Sequence, residues 1–244
     1  MPTRRHNHIL ENPVAAYDAI APYYRTLSEE RKAFLGSVDR IVALNANGRH
    51  AMLDIGTADG TRAINIARAA MIPLVVAVEP SRQMQARCPK DLLVWGCSAA
   101  DIPHTPLRFD VVTLLWNVLG HLSRPDERAS VLARARSLLT PTGVILADFA
   151  NRYNAAHYGW CATIWRALCD SLVWSDTSGD VVVQWDQPEM SIRTHGHVFT
   201  QRELRALFES SGLAIRNRWV LNYRTGKPSR FSFCGHLMYC LVPQ

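Results

Sequence analysis

The sequence has few of the features by which membrane, secreted and zinc-binding proteins are recognised. No apolar run approaches the roughly 18 residues of a membrane-spanning helix, and no apolar signal core follows the charged N-terminus. The six cysteines form neither a C-x-x-C pair nor a spacing typical of zinc sites. Because unpaired thiols without a signal are typical of a reducing compartment, we expect a cytoplasmic protein.

Lysine is also scarce, which bears on the class of partner. Only three of the 27 basic residues are lysines, and outside the basic segment 201–244 the arginines are spread along the chain. The net charge of +6 is therefore not gathered into a lysine-rich tail or an added basic module. We expect a small-molecule partner and neither a membrane nor a nucleic acid, although segment 201–244 keeps nucleic-acid binding open. The oligomeric state is left open.

Internal repeats with a period of roughly 20–50 residues are absent, which excludes solenoids and propellers. The 244 residues are 48% apolar and 20% charged, close to the average of globular proteins. This length and composition are typical of one large domain, or of one domain with a sizeable insertion.

Short apolar runs rich in β-branched residues alternate with helical stripes between about residues 50 and 150. The runs predict strands at 50–55, 74–79, 92–95, 110–115 and 143–149, and the stripes predict helices at 61–70, 81–87 and 126–139. Segment 140–143 (T-P-T-G) is predicted as a helix stop and turn. Alternation with short loops predicts an α/β fold with a doubly wound parallel sheet.

The flanking segments have a different pattern. Residues 13–24 and 28–44 predict two N-terminal helices, and the tryptophan-rich segment 155–200 contains one irregular strand at 181–185. A helix is predicted at 200–211, followed by two closing strands at 214–222 and 231–242 that pair antiparallel at the sheet edge.

A glycine-containing loop, Leu53–Thr61 (LDIGTADGT), follows the first predicted strand of the sheet and opens a helix, as a cofactor-binding loop requires. Glu79 ends the next strand, where a carboxylate can accept hydrogen bonds from two ribose hydroxyls. The loop has Ala58 and Thr61 where a dinucleotide-binding loop has its second and third glycines. Its two carboxylates, Asp54 and Asp59, would repel a pyrophosphate but suit a cationic aminoacyl group. The loop therefore favours S-adenosylmethionine over NAD.

At this point the sequence resembles the class I S-adenosylmethionine-dependent methyltransferases of the small-molecule type. The similar segments span about two thirds of the chain in the family's order: LDIGTADGT (53–61), VVAVEPSRQM (75–84), GCSAADIPHTPLRFDVV (96–112), LLWNVLGHL (114–122), LLTPTGVILADFANR (138–152) and VFTQRELRALFESSGL (198–213). Chain size and the aromatic cap also give a narrower similarity to azapteridine N-methyltransferases of the toxoflavin-making type.

The resemblance implies a Rossmann-like class I methyltransferase fold with a seven-stranded, mostly parallel sheet whose last strand is antiparallel. It divides the chain into an N-terminal helical lid (1–47), a cofactor-binding core (48–152), a substrate cap (153–199), and a C-terminal helix with closing strands of the core (200–244).

The same resemblance implies a set of cofactor contacts. Glu79 would take the ribose hydroxyls, Met84 would border the adenine, and Ser98 stands near the position of an aspartate that often meets the adenine. The full set of implied S-adenosylmethionine-binding residues is Tyr17, Tyr24, Asp54, Gly56, Thr57, Gly60, Glu79, Met84, Ser98 and Asn117. The tyrosines belong to a Y-D-x-x-A-x-x-Y element that closes over the cofactor in the family; simple helix packing is the alternative.

His121 is the candidate catalytic base, because it follows the fourth strand and a free histidine has a pKa near 6.5. The alternative is a histidine that only shapes the pocket. Asn117 could instead cap the strand end. The residues expected to bind substrate are Tyr23, Trp116, Asn151 and Trp185, and most of the remaining tryptophans are expected in the core. No metal is expected, because no second acidic pair accompanies Asp148 and Asn151.

The expected reaction is transfer of a methyl group from S-adenosylmethionine to an N or O atom of a small, planar aromatic or heteroaromatic metabolite. The narrower expectation is an azapteridine in natural-product biosynthesis. The alternatives are an RNA or tRNA base methyltransferase, a non-catalytic cofactor-binding subunit, and an NAD(P)-dependent reductase. The reductase is disfavoured because Thr61 stands in this chain where a dinucleotide-binding loop has its third glycine.

Overall fold

The computed structural model describes residues 6–9, 12–173, 175–187 and 190–244. The described strands are β1 (His6–Ile9), β2 (Ala51–Ile55), β3 (Leu74–Val78), β4 (Leu93–Trp95), β5 (Phe109–Leu114), β6 (Leu139–Phe149), β7 (Asp180–Asp186), β8 (Met190–His197), β9 (Leu213–Leu221) and β10 (His236–Pro243). The described α-helices are α1 (Pro13–Ile20), α2 (Tyr24–Glu30), α3 (Lys32–Ala46), α4 (Thr61–Ala70), α5 (Arg82–Gln85), α6 (Pro125–Ser137), α7 (Ala155–Tyr158), α8 (Trp160–Leu172) and α9 (Gln201–Ser210). None of the described helices is both long and apolar enough to span a bilayer.

A seven-stranded sheet with the order β4-β3-β2-β5-β6-β10-β9 forms the centre of the fold. The pairs from β4 to β6 are parallel, and β10 pairs antiparallel with both β6 and β9. The predicted mostly parallel sheet with an antiparallel last strand is therefore confirmed, and so is the closing pair at its edge.

Helices cover both faces of this sheet, which explains why its strands read as continuous apolar runs. All five residues of β2 are buried. On one face α3 and α4 contribute the buried residues Phe34, Val38, Val42, Ala63 and Ile66. On the other face α6 and α9 contribute Val131, Leu132, Ala135, Leu204 and Phe208. The predicted helical stripe of α6 is thus the face that packs on the sheet.

Segment 140–143 is strand, although a turn was predicted there. Strand β6 begins at Leu139, directly after α6, and its pairing with β5 shifts register between Phe109 and Val111. The Thr140 hydroxyl donates to Asp110 Oδ1 at 3.0 Å and ties this irregular start to β5. Proline is tolerated at the start of a strand or at a bulge, so the T-P-T-G pattern is compatible with both structures.

The N-terminal helices are shorter than predicted. Helix α1 ends at Ile20, and Ala21–Tyr23 form a 3₁₀ turn before α2 begins at Tyr24. Pro22 lacks the N–H of a continuous helix, which accounts for the change. The second predicted helix is also divided, because Arg31 interrupts it between α2 and α3 with a φ of −111°.

The segment after β6 forms α7, α8, β7 and β8, and the two strands join β1 in a second, three-stranded sheet with the order β1-β8-β7. These elements are called the cap below. The prediction of one irregular strand here was incomplete, since both β8 and the 13-residue helix α8 were missed. Strand β1 pairs parallel with β8, so residues 6–9 of the predicted N-terminal lid (1–47) belong to the cap sheet. Trp174, also predicted in the cap, lies outside the described residues.

Candidate functional site

The loop between β2 and α4 lies at the carboxyl edge of the sheet and is shaped by two glycines with positive φ. Gly56 has a φ of 75°, and a Cβ at this position would lie 2.7 Å from the Val118 side chain. Gly60 has a φ of 70° and precedes α4, and a Cβ there would lie 2.5 Å from the Leu92 side chain. A larger residue would therefore be strained at either position. Gly60 faces the protein interior, whereas Gly56 lines a cavity.

Glu79 is held against this loop by two backbone amides. Its Oε2 accepts from the Ala58 amide at 2.8 Å, and its Oε1 accepts from the Ser81 amide at 2.9 Å. Burial raises the pKa of Glu79 to about 7. The two hydrogen bonds favour the ionised form and act to lower this pKa, but burial has the larger effect. The result is a fixed, buried carboxyl group at the wall of the cavity.

The pKa of Glu79 predicts a pH-dependent stability of the ligand-free protein. The carboxyl titrates near 4.5 when unfolded and near 7 when folded, so between these values only the folded state holds the proton. The free energy of unfolding should therefore fall as pH rises from 4.5 to 7, by up to about 1.4 kcal/mol per pH unit. Urea unfolding of the wild type and Glu79→Gln across this range measures the effect. Parallel curves for the two proteins would contradict the assignment.

The remaining polar groups of the loop lie behind it. Asp54, at the end of β2, accepts from the Thr113 hydroxyl at 2.5 Å, and burial raises the pKa of Asp54. Thr57 is buried beside it. Asp59 is ion-paired with Arg25 of α2 at 3.0 Å. Asp54 and Thr57 are thus placed to support the loop, and Asp59 connects it to the N-terminal helices.

The first cavity has a volume of about 270 Å³ and lies between this loop, α1 and the end of β5. Among its lining residues are Pro13, Val14, Tyr17, Tyr24, Gly56, Ala58, Glu79, Ser98, Trp116, Val118 and His121. Five of the ten residues expected to bind the cofactor are in this group. Asp54, Thr57, Gly60 and Met84 lie behind the lining, and Asn117 lines a second cavity instead. Met84 is fully buried in a cluster with Ile20 and Ala58.

The second cavity, of about 440 Å³, adjoins the first and is rich in aromatic side chains. Four residues line both cavities and mark their junction: Tyr17, Tyr24, Trp116 and His121. The cap and the C-terminal segment add further aromatic walls from Tyr158, Trp185 and Tyr223. The ring centroids of Tyr17 and Trp185 are 5.4 Å apart, and those of Tyr24 and Trp116 are 5.7 Å apart.

His121 lies at the junction with its Nε2 atom 3.0 Å from the Tyr17 hydroxyl. Burial lowers the pKa of His121 to about 4, well below the ordinary 6.5 expected from the sequence. The imidazole is therefore neutral throughout the physiological range. In this state it can accept a proton, although it is a weaker base than a solvent-exposed histidine.

The backbone is left-handed at two consecutive residues after β5, Trp116 with a φ of 67° and Asn117 with a φ of 62°. The Trp116 amide donates to Asp148 Oδ1, and the pKa of Asp148 is raised to about 6 by burial. The Asn117 side chain donates to the His197 carbonyl at 3.1 Å and accepts from the Ala150 amide at 2.9 Å. Such conformations cluster at functional sites, and here polar contacts to β6 and β8 hold them.

Several residues singled out from the sequence lie away from both cavities. Asn151 donates to the carbonyls of Ser232 at 2.6 Å and Gly235 at 2.9 Å, so its amide ties two segments together. Tyr23 packs on the cluster around Ile20. The expectation that most cap tryptophans are core residues was wrong for Trp160 and Trp165, which are 57% and 69% exposed on α8.

Part of the second cavity was not predicted from the sequence, namely the walls that α7, α8 and the C-terminal segment supply through His157, Tyr158, Arg166, Tyr223 and His236. Their common signal is only that they are aromatic or basic, and no motif connects them. Within the described ranges, no group of three or more histidine, cysteine or acidic side chains is placed to hold a metal ion.

A family model described as a methyltransferase domain matches residues 26–217. Among curated protein sequences, none is significantly similar to this chain.

Three solved structures illustrate the likeness of fold. An S-adenosylmethionine-dependent methyltransferase from Clostridium acetobutylicum is 13% identical with a TM-score of 0.65, covering 93% of this chain and 98% of that chain. CalS10, an amino pentose methyltransferase from Micromonospora echinaspora with bound S-adenosylmethionine, is 16% identical with a TM-score of 0.62, covering 91% and 97%. KedS8, a sugar N-methyltransferase from Streptoalloteichus, is 15% identical with a TM-score of 0.59, covering 91% and 92%. At these identities the likeness concerns the fold alone.

Proposed function

The chain belongs to the family of methyltransferase domains and its cofactor is S-adenosylmethionine, and from this premise we propose that it methylates an N or O atom of a small, flat aromatic or heteroaromatic molecule. The observation that carries the proposal is the aromatic second cavity, which meets the first cavity at Tyr17, Trp116 and His121. Aromatic side chains favour offset or edge-to-face contacts with a flat ring.

The lining of the first cavity supports cofactor binding there. The Glu79 carboxyl is anchored by two amides and would accept hydrogen bonds from the ribose hydroxyls. The Gly56–Ala58 turn would carry the aminoacyl part, and Ser98 would lie on the adenine side. When bound, the sulfonium supplies an electrophilic methyl group, and the electrons of the broken S–CH₃ bond stay on sulfur as the acceptor lone pair forms the new bond.

The protein contributes positioning, exclusion of water and a proton acceptor. Trp116 and Tyr24 pack against each other at the junction, which keeps it apolar. The Tyr17 hydroxyl lies 3.0 Å from His121 Nε2, so a proton released by the acceptor can reach Nε2 through this hydroxyl. Holding two reacting groups in line accounts for much of the rate enhancement in such transfers.

A small acceptor is favoured over RNA or tRNA, the main alternative from the sequence. Tyr17, Trp185 and Tyr158 bring walls of the second cavity from α1, β7 and α7, respectively. Such a many-sided cavity suits a compact molecule more than a polynucleotide strand. The narrower idea of an azapteridine in natural-product biosynthesis stays a prediction, with CalS10 as a neighbour described as involved in calicheamicin biosynthesis.

A metabolite extract incubated with the protein and methyl-labelled S-adenosylmethionine tests the proposal. We expect label in a low-molecular-weight product with the ultraviolet absorption of an aromatic ring. Label recovered in the RNA fraction, or only in aliphatic products, would contradict it. Boiled protein controls for spontaneous methylation.

A further prediction concerns residues 13–24, which we expect to act as a lid that becomes more ordered when cofactor binds. Tyr17 and Tyr24 line the first cavity, while Asp18 holds the segment to the core by accepting from the Ser81 hydroxyl at 2.6 Å. Lids are drawn from elements of low local stability. Hydrogen exchange should show slower exchange of these amides with S-adenosylhomocysteine, while α9 serves as the unaffected control. Equal exchange with and without ligand would make the segment a permanently packed helix.

A further inference from the structure

The charges that line the second cavity are of one sign. No described aspartate or glutamate lines it, and Arg166 of α8 is its one described arginine or lysine. His197 also lines it, but both of its ring nitrogens lie 2.7 Å from carboxylates, those of Asp180 and Glu203. These two carboxylates are the direct partners of the His197 ring. Arg166 is therefore the charged side chain of the cavity wall that is left for a ligand.

Arg166 makes no direct salt bridge with a carboxylate among the described residues, although its charge contributes to lowering the pKa of Asp170. Asp170 lies one turn further along α8, but other groups already bind its carboxylate. Arg152 donates to it from Nε at 2.6 Å and from Nη2 at 2.8 Å, and the Tyr153 hydroxyl donates to it at 2.7 Å. The Arg166 guanidinium instead lies 4.1 Å from the ring centroid of Tyr158 and donates a hydrogen bond, at 3.3 Å, to the Arg152 carbonyl. Its charge and a side-chain hydrogen bond also act to lower the pKa of Tyr158, against the larger effect of burial. A guanidinium has five N–H donors in a planar fork, so donors remain for an anion.

The histidines at this end of the cavity experience the same positive field. The pKa of His157 is lowered by burial and then by Arg31 and Arg166. The pKa of His236 is lowered to about 3 by burial, by His157 and by Arg31, whose guanidinium lies over the Tyr223 ring. Both rings are therefore neutral at pH 7, so they can form hydrogen bonds with a ligand but add no charge to the cavity wall.

We propose that the methyl acceptor is a flat aromatic or heteroaromatic acid, whose carboxylate or equivalent fixed anion pairs with Arg166 while its ring reaches the junction at Tyr17 and His121. This inference rests on the proposed function and specifies its substrate class. A planar guanidinium matches a carboxylate through two parallel hydrogen bonds. A cationic amine, in contrast, would meet the charge of Arg166 and no described carboxylate on the cavity wall.

Three probes with one ring system test this: naphthoate, naphthamide and naphthylmethylamine, which are anionic, neutral and cationic. Binding is measured by NMR titration of the protein saturated with S-adenosylhomocysteine. We expect naphthoate to bind most tightly and the amine most weakly. Arg166→Gln should weaken naphthoate roughly 10- to 100-fold, the range of a charge-assisted hydrogen bond, and leave naphthamide and S-adenosylhomocysteine unchanged.

Two further variants separate charge from folding. Arg166→Lys keeps the charge but not the fork, so it should retain part of the preference for the acid. Arg40→Gln removes an exposed arginine of α3 and should change nothing. Failure of naphthoate to bind, equal binding of acid and amide by the wild type, or an unchanged acid preference in Arg166→Gln would overturn the inference while leaving the proposed function standing. Failure of the wild type to bind S-adenosylhomocysteine would instead overturn the proposed function.

Discussion

Replacing Glu79 by alanine is expected to weaken binding of S-adenosylhomocysteine by about 2–4 kcal/mol, roughly 30- to 1,000-fold. The anchored carboxyl would accept hydrogen bonds from two ribose hydroxyls, each contributing about 1.5–3 kcal/mol without full additivity. The substitution also removes the acceptor of the Ala58 and Ser81 amides and so loosens the loop itself. Calorimetry with wild type and variant measures the change.

The same titration should depend on pH. Because the pKa of Glu79 is about 7 in the ligand-free protein, the carboxyl is protonated below that pH and accepts hydrogen bonds less strongly. Affinity should therefore fall as pH drops through 7 in the wild type but not in Glu79→Gln. Glu209→Gln, a substitution of an exposed glutamate of α9, is the matched control. Unchanged affinity in Glu79→Ala, or tight NAD binding by the native chain, would contradict the cofactor site.

Replacing His121 by alanine is expected to lower kcat about 100-fold and leave the affinity for S-adenosylhomocysteine nearly unchanged. General-base catalysis contributes about 10²–10⁴ in rate, and the low pKa of the buried His121 places the effect at the lower end. Tyr17→Phe should reproduce part of the loss, because the hydroxyl is the hydrogen-bond partner of Nε2. His104→Ala, which removes an exposed histidine, is the control.

The pH profile distinguishes a base from a residue that shapes the pocket. A base must be neutral to accept a proton, so kcat of the wild type should fall only as pH drops through about 4, and this limb should vanish in His121→Ala. The sequence alone predicts the limb near 6.5, the ordinary value. A small change in kcat with a large rise in KM in the variant would remove the catalytic role and leave His121 as a wall of the cavity.

Prediction succeeded where a short stretch of chain determines its own structure. The apolar runs from β2 to β6 and the glycine loop before α4 depend on neighbours within a few residues, and both were found. It failed at segment 140–143, where the same residues suit a turn or an irregular strand and the pairing with β5 decides. It also missed α8, although Ile164, Trp165, Leu168 and Leu172 recur there at helical spacing; these side chains form an exposed stripe and do not pack on the sheet.

The candidate site divides in the same way. Gly56 and Glu79 could be identified because the loop and the strand end each carry a local pattern. The second cavity could not, since Tyr17, Tyr158, Arg166 and Tyr223 come from four separate segments of the chain. Their chemistry emerges only when the cap folds over the sheet.

The sequence by itself determined the alternation of strands and helices, the glycine loop with its acidic strand end, and hence the cofactor class. These depend on backbone conformation and on side-chain periodicity, which are local. Only the tertiary structure decided that His121 titrates near 4, that Asn117 is bound on both sides by backbone groups, and that Arg166 faces the cavity without a direct salt bridge to a described carboxylate. The burial of a side chain and the pairing of its charge depend on residues that are distant in the chain, so they cannot be predicted from one segment of the sequence.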